Sequence, residues 1–261
     1  GMHETQRVAI ALQHIALCEW GLGRPTAAVP RLQRALSLMT PQPYPDLYLA
    51  TVYTSALAHY AAGRFDDSLR LHGQALDLAT KLQIDRARGR SYYGMGVAYY
   101  AIGDRDLSVR FLRSALEILT PDVDARGRVA ALRALAVIEH EMAEFTQASA
   151  HNSEALRLAT PPSARSRILL RLAADYYAQG KSADAFGMLD PLAAAAPNGD
   201  ALVQALARAQ RAKMYRAAGD LVAARRDAEL AISALRSFEA VTDEFDARVE
   251  VGVLRHLDPA L

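Results

Sequence analysis

Residues 86–121 read RARGRSYYGMGVAYYAIGDRDLSVRFLRSALEILTP, and this stretch decides the fold of the chain. A small residue, Gly96, is followed three positions later by Tyr99 and four positions after that by Gly103. Residues that favour helix predominate on both sides of Gly103. Glycine closes the last turn of a helix without strain, and the proline at the end of the stretch stops the second helix. The stretch therefore predicts a helical hairpin.

The same pattern occurs six times along the chain. We call the residue that ends each first helix the marker, and the markers are Gly23, Gly63, Gly103, Ala143, Gly180 and Gly219. Successive markers are 40, 40, 40, 37 and 39 residues apart. A hairpin of this size cannot bury its apolar face alone, so neighbouring hairpins must stack.

The repeat predicts alternating first and second helices. First helices are expected near 5–21, 46–62, 86–102, 124–142, 163–179 and 200–218. Second helices are expected near 26–39, 65–80, 105–119, 145–159, 182–195 and 221–238, and a last helix near 243–256 would cap the open end. The hairpin repeats then lie near 5–40, 46–80, 86–120, 124–160, 163–197 and 200–238.

Composition excludes several classes of protein. The chain has 261 residues, 51% of them hydrophobic, and 30 basic against 29 acidic residues. Such a chain is too apolar for a disordered tail and too neutral for a typical nucleic-acid binder. Its one cysteine, Cys18, excludes a disulfide framework and CxxC motifs, and we expect it buried and inert. No apolar run could span a membrane and no signal peptide is evident, which favours the cytoplasm.

The repeat resembles the tetratricopeptide repeat, and the likeness extends over almost the whole chain. The third copy matches the consensus best, through Tyr92, Met95, Gly96, Tyr99, Gly103, Ser108, Leu112 and Ala115. The period near 40 resembles the long-helix variety found in sensor regions of maltose-activator-type bacterial transcription regulators and in signalling adaptors. Departures from the pattern are Ala143 at a marker, Arg211 in place of a leucine, and Pro30 and Pro191 inside second helices, which should be kinked or shortened.

The resemblance implies an all-α, right-handed superhelical α-solenoid of about six hairpins plus a C-terminal capping helix, with residues 2–261 as a single domain. In the family, first helices line a concave groove that receives a peptide or a partner protein. The positions that correspond here give these candidate groove residues: Trp20, Tyr53, Tyr60, Arg90, Tyr93, Tyr100, Arg133, His140, Arg167 and Tyr177. Aromatic and basic side chains of this kind suit an extended, acidic peptide.

A purely structural role is the alternative for these residues. Tyrosines at helical spacing also pack between hairpins, and we favour packing for Tyr99, Tyr176 and Tyr215. For Tyr60, Tyr93 and Tyr100 both roles stay open. For the arginines we favour a solvated helix face.

Catalytic motifs are incomplete. Gly180-Lys181-Ser182 lacks the earlier glycine and the strand of a phosphate-binding loop, so it predicts a turn. His140 and Glu144 are two polar residues without a zinc motif around them. Cys18 and His14 lie four apart on one predicted helix without an orienting group. We therefore expect no enzyme activity, no cofactor and no metal.

The leading hypothesis is a non-catalytic scaffold or sensor domain for protein–protein interaction, by resemblance part of a bacterial transcription regulator. Its partner would be a protein or an acidic peptide, without direct nucleic-acid or membrane binding by this chain, as a monomer or a homodimer. The alternatives are a chaperone-like assembly adaptor and a small-ligand-binding scaffold. Any DNA-binding part would lie outside this sequence.

Overall fold

A computed structural model describes residues 2–22, 24–42, 44–194 and 200–236. Within helices, the side chains of seven residues are outside this description: Met2, His3, Gln6, Trp20, Gly21, Leu235 and Arg236. The described residues form helices and connecting turns, without a strand. None of the described helices is long and apolar enough to cross a bilayer.

Twelve helices alternate as first and second members of six hairpins in the described part of the chain. The first helices are α1 (Met2–Gly21), α3 (Pro45–Ala61), α5 (Asp85–Ile102), α7 (Pro121–Glu141), α9 (Pro162–Ala178) and α11 (Ala201–Ala217). The second helices are α2 (Pro25–Ser37), α4 (Phe65–Lys81), α6 (Arg105–Ile118), α8 (Phe145–Leu158), α10 (Ser182–Ala193) and α12 (Leu221–Arg236). The predicted all-α fold of helical hairpins is thus confirmed, with helix ends within about three residues of those expected.

The second helices that contain proline are the shortest. Pro30 lies inside α2, which has 13 residues, and Pro191 lies inside α10, which has 12. Proline lacks the N–H that continues a helix, which accounts for the predicted shortening. The predicted capping helix near 243–256 lies outside the described residues.

The markers close the first helices in the left-handed conformation. Gly63, Gly103, Gly180 and Gly219 have φ angles between 74° and 95°, and Ala143 has a φ of 60°. At each described marker the following residue's N–H donates to the carbonyl five positions earlier, as Asp104 does to Tyr99 at 3.0 Å. Glycine pays no steric penalty in this conformation, which explains why it recurs at this position. Gly23 is outside the described residues.

The second helix of hairpin two ends differently because no proline follows Thr80. Helix α4 continues to Lys81, and Gln83 takes a left-handed φ of 57°. The N–H of Ile84 then donates to the carbonyl of Ala79 at 2.9 Å. In this hairpin a left-handed turn replaces proline as the helix stop.

The first helix of hairpin four begins earlier than the predicted residue 124. Helix α7 starts at Pro121, and Asp124 interrupts it with an extended backbone at φ −162° and ψ 86°. The Asp124 carboxylate accepts the N–H of Gly127 at 3.1 Å and so caps the longer part of the helix. The sequence pattern assigned Pro121 to the end of the preceding helix. Proline is also well tolerated in the first turn of a helix, which is where Pro121 lies.

The chain divides into two compact units, residues 1–138 and 139–261, with the boundary inside α7. In the first unit, α1 contacts α3 and α3 contacts α5, and in the second unit α9 contacts α11. Among the described residues, successive second helices contact each other less. Each unit therefore has a first-helix layer, as we call it below. That residues 2–261 act as a single domain stays a prediction.

The same two positions of the repeat contact each other in different hairpins, although the residue types differ. This contact joins the residue four before the marker to the residue eight after it. In hairpin one this contact is the ion pair of Glu19 with Arg31 at 2.7 Å. In hairpin three Tyr99 stacks on Phe111 with ring centroids 5.3 Å apart and ring planes 2° apart. This stacking agrees with the packing role favoured for Tyr99.

Candidate ligand-binding surface

Tyr53, Arg90 and Asp124 come together in the first-helix layer of the first unit. The Arg90 guanidinium carbon lies 5.8 Å from the centre of the Tyr53 ring. The Nε of Arg90 donates to Oδ2 of Asp124 at 2.6 Å. These residues come from α3, α5 and α7, so the contact joins three successive hairpins. A cation over an aromatic face, fixed by a carboxylate, is a rigid and partly polar surface.

Asp124 is buried between two arginines. Burial by itself would raise the pKa of Asp124, but hydrogen bonds from Arg90 and from the N–H of Gly127 and the charges of Arg90 and Arg86 outweigh it and hold this pKa below its usual value. The Arg86 side chain is 60% exposed, and its Nε lies 3.6 Å from the same Oδ2. With two cations and one anion, this cluster carries net positive charge at neutral pH.

Tyr53 also contacts His72. The two rings meet edge to face, with centroids 5.5 Å apart and an angle of 63° between the planes. Burial raises the pKa of Tyr53 well above its usual value, so the phenol stays neutral and keeps its proton. The Arg90 side chain beside it is 33% exposed and offers N–H donors to a partner's carboxylate.

The other candidate tyrosines of the first unit are half-buried and in contact with the protein. Tyr60 packs on Phe65 with ring centroids 5.5 Å apart. Tyr93 and Tyr100 pack against a core cluster of Leu112, Leu135 and Ile138, the last two from the next first helix. Each tyrosine thus contributes to packing while part of its surface faces solvent.

The second unit contains a different polar cluster. The Nδ1 of His140 lies 2.7 Å from Oδ1 of Asp175, and the amide of Asn152 donates to Oδ2 of Asp175 at 2.8 Å. Asp175 is 1% exposed, whereas His140 is half-buried and packs edge-on against Phe145. The Asp175 carboxylate thus hydrogen-bonds to both His140 and Asn152. Because it is held by Asn152, it fixes the orientation of the His140 ring.

The remaining candidate residues lie outside these two polar clusters. Arg133 in the first unit and Arg167 in the second are half-buried. Tyr177 packs against the core of the second unit, together with Tyr176. The side chain of Trp20 lies outside the described residues.

The tyrosines for which packing was favoured are indeed in contact with core residues. Tyr176 belongs to the core cluster of the second unit and Lys181 lies over its ring, 5.1 Å from the centroid. Tyr215 packs on Phe186 with ring centroids 4.9 Å apart.

The prediction that Cys18 is buried was wrong. Cys18 is an exposed free cysteine, and His14 on the same helix is exposed as well. The helix is apolar on more than one face, and the arc that carries Cys18 points away from its own hairpin. Gly180 forms the expected turn, with a φ of 79°. Within the described ranges, no group of three or more His, Cys, Asp or Glu side chains could hold a metal ion.

Two carboxylates that organise these clusters were not among the candidates. Asp124 and Asp175 each bind a candidate residue, 34 and 35 positions away along the chain. An isolated acid in a helical segment has the pattern of a solvated residue, and only the stacking of hairpins brings it to a basic partner.

Residues 48–121 match the sequence profile of the tetratricopeptide repeat family. The matched part covers 74 of the 261 residues. It contains α4, α5 and α6, most of α3, and the Tyr53–Arg90 contact. The other described helices form hairpins of the same kind. No curated protein sequence matches the chain.

Solved structures of tetratricopeptide-like repeat proteins share the fold. BtubC from P. vanneervenii aligns with a TM-score of 0.63 at 16% identity over 91% of this chain and 90% of that one. The apo form of the quorum sensor NprR from B. thuringiensis aligns with a TM-score of 0.68 at 15% identity, over 94% of this chain and 76% of that one. A Rap protein in complex with competence and sporulation factor aligns with a TM-score of 0.65 at 16% identity, over 94% and 74%. At these identities the likeness establishes the fold.

Proposed function

We propose that this protein is a non-catalytic scaffold whose first-helix layer binds an extended, acidic segment of a partner protein. The observation that carries the proposal is the Arg90 guanidinium held over the Tyr53 ring by Asp124. Pre-fixed aromatic and guanidinium groups lose little entropy on binding and are common centres of protein interfaces. In the second unit, His140 and Arg167 are the candidates for polar contacts.

The charge of the cluster favours an acidic partner. Asp124 compensates one positive charge, and Arg86 remains 60% exposed beside it. A carboxylate of the partner approaching Arg86 and Arg90 would meet net positive charge and N–H donors in one place. Tyr60 lies seven residues after Tyr53 on α3 and Tyr100 lies ten residues after Arg90 on α5, and both would contribute apolar contact area farther along the two helices.

The solved relatives support a sensor role for such a scaffold. One is named as a quorum sensor, and another was solved in complex with competence and sporulation factor. We propose accordingly that this chain is the sensor part of a bacterial regulator, with its DNA-binding part outside this sequence.

The experiment is a peptide array of ten-residue sequences graded in acidic content, followed by fluorescence anisotropy with the best binder. The Tyr60→Ala/Arg86→Ala chain should bind that peptide at least about tenfold more weakly, because it loses an aromatic contact and an exposed cation. The matched control is Tyr44→Ala/Arg110→Ala, which removes an exposed tyrosine and an exposed arginine outside the first-helix layer. Equal affinities of the two folded double variants would refute the proposed surface.

A further inference from the structure

Helix α1 carries an exposed apolar stripe along one arc. The stripe consists of Val8, Ala11, Ile15, Cys18 and, in the turn after the helix, Leu22. Val8 is 47% exposed, Ile15 45% and Leu22 70%, and Ala11 and Cys18 are exposed as well. Successive members are alternately three and four residues apart, the spacing by which one helix packs along another in a coiled coil.

The same positions in the next hairpin are buried. Forty residues after Ala11, Ile15 and Cys18 stand Thr51, Ser55 and Ala58, each 0% exposed. Ala58 packs against Ala28 and Leu32 of the preceding hairpin. This arc of a first helix is therefore the surface on which another helix stacks. On α1 none of the described residues covers it.

We infer that the stripe pairs with the stripe of a second copy of this chain, the two α1 helices running antiparallel. A twofold axis level with residue 13 places Val8 opposite Cys18 of the other copy and Ile15 opposite Ala11. The contact then has four pairs of facing residues, because each of the two pairings occurs twice. In every pair a β-branched side chain faces a small one. Antiparallel helices bring unlike positions of the repeat together in this way, so large and small side chains interdigitate instead of colliding.

The charges at the two ends of the stripe agree with this register. Glu4 lies on the same arc at one end of the stripe, and Arg24 follows its other end, and both are exposed. Antiparallel pairing brings Glu4 of each copy to the end of the other that carries Arg24. Opposite charges then meet at both ends of the contact, whereas a parallel pair would bring like charges together.

The small size of the stripe makes the pairing weak. A stable interface buries about 800 Å² on each partner, with roughly 20 to 30 residues a side, and five stripe residues provide only part of that area. The dimer should therefore form in a concentration-dependent way. It is independent of the proposed peptide surface, which lies on α3 and α5.

Disulfide trapping tests the register directly. In the Val8→Cys chain the introduced thiol faces Cys18 of the other copy, so mild oxidation should yield a disulfide-linked dimer. In the wild-type chain the two Cys18 thiols are about 15 Å apart along the helices, since ten residues at 1.5 Å separate opposed positions, and should not link. The same distance prevents a bond between residues 8 and 18 within one folded helix. Leu17→Cys, an exposed position outside the stripe, is the matched control and should remain monomeric on the gel.

Sedimentation of the reduced proteins tests the association itself. Ile15→Glu should weaken dimerisation by at least about tenfold, because it places charge in the centre of the contact, and Leu17→Glu should leave it unchanged. Circular dichroism confirms that both variants fold. The inference is overturned by a wild-type chain that stays monomeric at millimolar concentration, by a Cys18 disulfide dimer of the wild type, or by equal crosslinking of the Val8→Cys and Leu17→Cys chains.

Discussion

Gly94 lies directly against the imidazole of His72, and a Cβ at residue 94 would overlap Nε2 of that ring. The helix α5 needs glycine here because the buried ring occupies the space of a side chain. His72 in turn meets Tyr53 edge to face. A residue without a side chain thus determines where the buried histidine lies, and the histidine positions the tyrosine beneath Arg90.

Replacing Gly94 by alanine should destabilise the protein, although alanine is the better helix former. We expect Gly94→Ala to lower the free energy of unfolding by about 1–3 kcal/mol, the usual cost of forcing atoms into a packed core. Gly73→Ala is the control, since nothing lies within 4 Å of its Cβ position. That variant should gain about 0.5–1 kcal/mol from helix propensity. Urea unfolding measures both, and a gain of stability for both variants would contradict this packing.

His72 should make stability depend on pH. Burial lowers the pKa of His72 from 6.5 to about 4. The unfolded chain then binds a proton in the range where the folded protein does not. Stability is complete above pH 6.5, falls as the pH drops towards 4, and the loss amounts to about 3 kcal/mol. Burial also lowers the pKa of His59, which adds a smaller loss of the same sign.

The variant His72→Leu isolates this effect. Its urea midpoint should change less between pH 7 and pH 4.5 than that of the wild type, because the buried proton acceptor is gone. His14→Gln alters an exposed histidine and should leave the wild-type profile intact. An unchanged pH profile of His72→Leu would show that the histidine is not buried as described.

Arg211, where the repeat pattern expects leucine, should be required for stability because it pairs with the buried Asp227. Its Nε and Nη2 donate to the two oxygens of Asp227 at 2.9 and 3.0 Å, and Asp227 is 1% exposed. Arg211→Leu leaves this carboxylate buried without its main partner and should cost about 3–5 kcal/mol. The double variant Arg211→Leu/Asp227→Leu should recover most of that loss. Arg225→Leu removes an exposed ion pair with Glu229 and should change the stability far less than Arg211→Leu does. Thermal unfolding of the wild type and the three variants measures these differences. A double variant that is no more stable than Arg211→Leu would contradict this explanation.

Ala143 should gain stability on replacement by glycine. It has a φ of 60° at a marker where the other described copies have glycine. Relief of this left-handed strain should exceed the entropy cost of glycine and raise the free energy of unfolding by about 1 kcal/mol. Gly103→Ala imposes the same strain at an equivalent turn and should lose about as much. Opposite signs for the two substitutions in denaturant titrations are the expected result, and equal signs would refute the explanation.

The hairpins could be predicted from the sequence because their signals are local. Glycine at Gly103 and proline at Pro121 act on the backbone within one or two turns, so the chain around them specifies where helices end. Arg90 and Tyr53 could be proposed as surface residues from their positions in the repeat. Their contact with Asp124 could not, because it depends on how three hairpins stack.

The exposure of Cys18 could not be predicted for a related reason. An apolar first helix has two neighbours in a stack, its own second helix and the preceding hairpin. The sequence of α1 shows apolar residues on both arcs, but only the three-dimensional arrangement shows that none of the described residues covers one of these arcs. Helix propensity and apolar pattern describe the helix, whereas burial describes its surroundings.

The central claim is that first helices, and not second helices, bind the partner. Amide hydrogen exchange with and without the best array peptide measures this, with α3 and α5 compared against α4 and α6. The account predicts slower exchange in α3 and α5 on peptide binding, with unchanged rates in α4 and α6, and loss of this protection in the Tyr60→Ala/Arg86→Ala chain. Protection confined to α4 and α6 would contradict it.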